Sequence, residues 1–135
     1  MSTQLTSAEI QEIQQILKDY TPAQTALTTL EKYNGRLDTS FDELWQEQTG
    51  IEVYGNKSLW QSTLKILREE LCGDDGFRAQ FQEYTKNPAS APLLTGLIVS
   101  VTTLSGLPLD PAIATVIVLY LIKVGLKIFC EYTAP

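Results

Sequence analysis

The chain has no histidine and only two cysteines in its 135 residues. Without histidine it lacks the commonest general base, and neither a Ser-His nor a Cys-His nucleophile pair can be assembled. Two cysteines, Cys72 and Cys130, fall short of the common zinc-ligand sets. No glycine-rich phosphate loop or nucleotide fingerprint occurs. Clusters of lysine and arginine are missing as well. Ten bases stand against 16 acids, a net charge of −6. That balance excludes a phosphate-binding stripe and so predicts no nucleic-acid partner. It also disfavours adsorption of the charged part of the chain to anionic lipid. No basic-then-apolar leader opens the chain, so no secretion signal is expected. Both thiols are then expected reduced, as small packing residues on the cytosolic side. A non-enzymatic protein without cofactor or metal is the expectation.

Charge is absent from one part of the chain in particular. Residues 1–86 hold 14 acids and 8 bases, whereas residues 87–135 hold only Asp110, Glu131, Lys123 and Lys127. From 87 to 109 there is no charge at all. The expected organisation is an acidic helical domain over 1–86 and an apolar helical pair over 87–135. The carboxylate pairs of the front are Asp42-Glu43, Glu69-Glu70 and Asp74-Asp75. Neighbouring residues on a helix do not face each other, so these are read as solvated charge. Asp74-Asp75 lacks the further ligands of a calcium loop.

What is present is helical periodicity. Ile10, Ile13, Leu17 and Tyr20 recur at helical spacing after Ser7, a good N-cap. Thr21-Pro22 opens a second helix carrying Ala26, Leu27 and Leu30, which stops at Asn34-Gly35. A third is expected from Thr39 or Ser40 through Phe41, Leu44 and Trp45 to Thr49-Gly50. Residues 51–56 read as a linker. Trp60, Leu64, Leu67 and Leu71 line a fourth helix, and Phe77, Phe81 and Tyr84 a fifth. Two apolar arms follow, over 91–107 and 112–130, joined by a turn from Gly106 to Pro111, with Asp110 as cap of the second. The fold class predicted is all-α: a small helical bundle followed by an apolar C-terminal helical hairpin.

The apolar arms admit two main accounts. As a membrane hairpin, each arm sits at the short end of the 17 to 25 residues needed to span. Lys86 precedes the first arm, Lys123 and Lys127 lie late in the second, and the turn has no base, so both ends would face the cytoplasm. Gly96, Ser100 and Thr103 supply small or hydroxyl-bearing positions for close helix approach, and predict self-association. As a buried core pair, the five Ser and Thr of the first arm and the mid-arm Lys123 are less surprising. Two long strands are a third possibility, given the β-branched content, but the apolar residues do not alternate.

Residues 13–45 carry one family likeness. Ala26-Leu27 sits in the second helix, Asn34-Gly35 in the following turn, Leu37 as an apolar plug, and Leu44-Trp45 at the end of the third helix. This pattern resembles the ubiquitin-associated (UBA) three-helix module. The family's first loop normally carries Met-Gly-Phe or similar, and here reads Asp19-Tyr20-Thr21-Pro22. The resemblance implies a protein-binding bundle.

The function expected is therefore a helical protein-interaction module at the cytoplasmic face of a membrane, with the hairpin as anchor. Small bacterial conflict-system adaptors or effectors combine the same parts, by analogy of architecture alone. The alternative is a soluble cytoplasmic subunit whose apolar pair is its core or oligomer interface. Tyr20, Tyr33 and Trp45 are the expected partner-binding residues. Gly96, Ser100, Thr103, Lys123 and Lys127 mark the expected membrane or oligomer face.

Overall fold

The computed structural model describes residues 4–49, 59–104, 106 and 109–132. Among these the order is α1 (Ser7–Ile16), α2 (Thr21–Lys32), α3 (Leu37–Thr49), α4 (Leu59–Cys72), α5 (Asp75–Lys86), α6 (Ala91–Leu104), α7 (Pro111–Val124) and α8 (Leu126–Tyr132). The protein is all-α, as the periodicity predicts. The linker expected over 51–56, and Gly50, Leu107 and Pro108, lie outside the described residues.

Local chemistry sets several helix ends. Thr6, not Ser7, caps α1: its hydroxyl accepts from the Glu9 amide while the Glu9 carboxylate accepts from the Thr6 amide. The spacing Thr6-x-x-Glu9 is the capping-box signature, and satisfies two amides that the helix leaves orphaned. Asp74 accepts from the Phe77 amide at 2.7 Å and Asp110 from the Ile113 amide at 2.8 Å. Asp74 is thus the N-cap of α5, not idle solvated charge. Thr21 is the first residue of α2, and extended Tyr20 holds the cap position without a side-chain cap bond.

Between α2 and α3 the chain turns through Asn34 at φ 57° and Gly35 at φ 85°. Gly35 is required twice over. Its φ favours a residue without Cβ. The segment Gln4-Leu5 also lies directly on it, the Leu5 amide donating to the Gly35 carbonyl at 2.9 Å. A Cβ built on Gly35 would stand 2.0 Å from the Leu5 carbonyl oxygen.

The apolar arms are shorter than predicted. α6 stops at Leu104, ahead of Gly106 at φ 68°. The second arm is cut at Gly125, φ 94°, into α7 and α8. Each long arm is a 14-residue helix, about 21 Å of rise. The hydrocarbon core of a bilayer is about 30 Å thick. No helix among the described residues is long and apolar enough to cross a membrane.

Instead α7 is the centre of the packing. Every residue from Ala112 to Leu119 is buried. α7 lies against α2 and α3 as well as against α6 and α8. A helix that is apolar on all sides must be enclosed on all sides, and along Ala112–Leu119 its neighbours α2, α3 and α6 enclose it. Position 86/87 is therefore no packing boundary between an acidic front and an apolar back. Aromatic rings tie the layers together: Phe41 to Trp60 at 5.3 Å between centroids, Trp60 to Tyr120 at 5.0 Å, and Tyr120 to Phe129 at 6.1 Å.

One expectation is overturned here. Cys72 and Cys130 are not separate reduced thiols but a disulfide linking the end of α4 to α8. The partners are 58 residues apart. Only the tertiary packing of α8 on α4 brings them together, so no local pattern could announce the pair.

Candidate partner-binding groove

An open groove of about 440 Å³ runs between α1, the end of α5 and α7. Its apolar lining comes from Leu5, Ile13 and Ile16 on one side and Leu119 and Ile122 on the other, with Tyr84 and Pro88 at one end. Tyr84 is buried and its hydroxyl donates to the Pro88 carbonyl at 2.9 Å, which fixes that end. The amphipathic pattern of α1 explains its side: Ile10 is buried in the core, whereas Ile13 and Ile16, three and six residues on, are only partly covered.

Charge sits on the rim. Glu9, Glu12 and Lys123 line the groove. Lys123 Nζ donates to Glu9 Oε1 at 2.7 Å across 114 residues of sequence. The hydrogen bond from Lys123, then that from the Thr6 amide, holds the Glu9 carboxyl below its ordinary 4.5. One carboxylate therefore caps α1 and ties it to α7. The negative charge of Glu12 is felt at Tyr84: burial raises the tyrosine pKa first, and Glu12 adds to it. With Glu9 matched by Lys123, the rim is left one negative charge in excess.

The other predicted site residues are dispersed. Tyr20, Gly96 and Ser100 meet in a second groove of about 680 Å³ between the α1–α2 corner and α6. Burial raises the Tyr20 pKa. Ser100 donates to Gln80 Oε1 at 2.7 Å, and a Cβ on Gly96 would lie 2.9 Å from Gln80 Nε2. Those small residues thus admit α5, within the same chain. Thr103 is exposed and its hydroxyl donates to the Val99 carbonyl of its own helix.

Tyr33 donates its hydroxyl to Glu43, which also accepts from Lys32 at 3.0 Å. The Tyr33 and then the Lys32 hydrogen bond lower the Glu43 pKa. Glu43, read from sequence as solvated, is therefore a clamp between α2 and α3. Trp45 is half-buried and stacks on Phe41 with centroids 6.1 Å apart. Lys127 is exposed on α8. Tyr20, Tyr33 and Trp45 thus each serve a different contact.

Asp38 and Asp42 lie four residues apart on α3, and each has one carboxylate oxygen, Oδ1, buried without a hydrogen bond. Burial, then the charge of Asp38, raises the Asp42 pKa above 3.8. No group of three or more His, Cys, Asp or Glu suited to a metal occurs among the described residues.

Sequence reasoning missed Glu9 and the groove it borders. The capping box Thr6-x-x-Glu9 was a local signal for half of Glu9's role. Nothing local signals its pairing with Lys123. Compared with protein-family models, with curated proteins and with solved structures, the chain matches none.

Proposed function

We propose that this protein is a non-enzymatic helical interaction module that receives a partner's apolar, basic segment in the groove between α1, α5 and α7. The observation that carries the proposal is the groove itself: an apolar floor, an open top, and a rim on which Glu12 leaves one negative charge beyond the Glu9–Lys123 pair. An apolar floor with a few placed polar groups is the usual composition of a binding site. The net charge of −6 would steer a basic partner towards the molecule. The likeness of residues 13–45 to a protein-binding bundle points the same way. Enclosure of α7 supports the reading in which the apolar pair is the protein's own core, ahead of the membrane-anchored one.

The test is selection from a randomised peptide library, with the folded chain as bait. Thr85→Trp fills the groove from an exposed position, and Glu12→Lys reverses the rim charge without touching the core. Enriched peptides should pair bulky apolar residues with Lys or Arg. Their affinity should fall about tenfold or more in either variant, the weight of one good contact. Peptides that bind wild type and both variants equally, or no enrichment at all, would refute the proposal.

A further inference from the structure

α8 is a seven-residue helix hung from α7 by Gly125. A helix that short has no stability of its own in water. What holds it is tertiary. Leu126 and Phe129 are buried, and Phe129 meets Tyr120 edge-on. Cys130 is bonded to Cys72 at the end of α4. On its other flank α8 is not packed: a cleft of about 600 Å³ separates it from Arg78, Phe81 and Gln82 of α5. Its outer side leaves Ile128 56% exposed. Among the described residues, Leu126, Phe129 and one covalent bond fasten α8 along one edge. Both cysteines are half-buried.

We propose that the Cys72–Cys130 disulfide is a redox-controlled latch for α8. Oxidised, it pins α8 against α4. Reduced, α8 swings out about Gly125 and uncovers the apolar seat of Leu126 and Phe129 on the α4–α7 side. The co-reactant is a dithiol, small-molecule or protein. One of its thiolates attacks one sulfur of the disulfide, forming a mixed disulfide and expelling the other cysteine as thiolate, which takes up a proton. The second thiol of the reductant then displaces the first cysteine and closes the reductant's own disulfide. Two electrons and two protons end on Cys72 and Cys130. The hinge favours this motion because Gly125 has a positive φ that glycine tolerates, and open space around it.

The experiment is hydrogen exchange read by mass spectrometry on the full chain, oxidised and then reduced in place with dithiothreitol. The Cys72→Ser, Cys130→Ser double variant gives the same comparison without reductant. Amides of 126–132 should lose about tenfold or more of their protection on reduction, while those of α2 and α7 stay within about threefold. Should α8 keep its protection when reduced, the bond is a passive brace and the latch is overturned. Should α2 and α7 open together with α8, the bond staples the whole fold, and the latch is likewise overturned. If the double variant does not fold, the reduced wild-type chain alone decides, since it starts from the folded state.

Discussion

Single residues carry unequal burdens in this fold, and Gly35 carries one that its neighbours cannot share. An alanine there must hold a left-handed conformation and also push against backbone, not against a side chain that could rotate away. The strain and the clash together should cost about 2 kcal/mol or more. Denaturant melts of Gly35→Ala would show it as a lowered midpoint, and an unchanged midpoint would mean that Leu5 does not rest on Gly35. Asp42 works in the opposite direction. Its charge is half-buried, its Oδ1 has no donor, and Asp38 repels it. Asp42→Asn should therefore stabilise the protein at neutral pH, by about a few tenths of a kcal/mol, because solvent screens a group that is only half-buried. Because Asp42's pKa is raised on folding, the advantage of the variant is full above that raised value and gone below 3.8. Glu9 and Glu43 have lowered pKa values, so their contribution is present above 4.5 and lost as pH falls through their folded values. On acidification the wild type should first gain from Asp42 and then lose from Glu9 and Glu43. Urea midpoints at pH 7, 5 and 3.5 for both proteins measure this. An advantage that grew as pH fell would have the wrong sign.

At the scale of elements, legibility follows distance along the chain. The Asp110 cap and the Pro111 start of α7 are local, and both stand where sequence reasoning puts them. Asn34-Gly35 as a stop is equally local. The N-cap of α1 is local too, but Ser7 is as good a cap by type as Thr6, and only the reciprocal bonds with Glu9 single out Thr6. The break inside the second arm is not legible, because a lone Gly125 within an apolar run costs a helix only about 1 kcal/mol. The groove draws on α1, α5 and α7, and its ion pair joins residues 114 apart. The disulfide spans 58. Closing a loop of that length removes unfolded-chain entropy worth about 4 kcal/mol. Against a net stability of about 5 to 15 kcal/mol for a domain, a reduced chain can lose that amount and stay folded. That margin is what allows the bond to act on α8 by itself.

At the scale of the whole molecule, one helix decides between the two accounts of the apolar tail. A helix without a polar face is compatible both with lipid and with a core, and the sequence of α7 alone could not separate them. Its surroundings do bear on the choice. Ile113, Val116, Ile117, Val118, Leu119 and Leu121 are all buried. At about 1.5 to 3 kcal/mol each they supply about 9 to 18 kcal/mol, as much as the net stability of a whole domain. α2 and α3 bury their own apolar faces against this helix. If α7 is the common core, the front of the chain has no independent fold. A chain ending at residue 87 should then show weak near-UV ellipticity and no cooperative melt. Ile117→Ala in the full chain should cost about 2 to 5 kcal/mol through the cavity it leaves. If α7 were instead a membrane appendage, the shortened chain would fold as well as the full one, Ile117→Ala would leave its melt unchanged, and the full chain would pellet with phosphatidylcholine–phosphatidylglycerol vesicles through a carbonate wash. The enclosure of α7 predicts the first set of results: a shortened chain that cannot fold, and a full chain that stays in the supernatant.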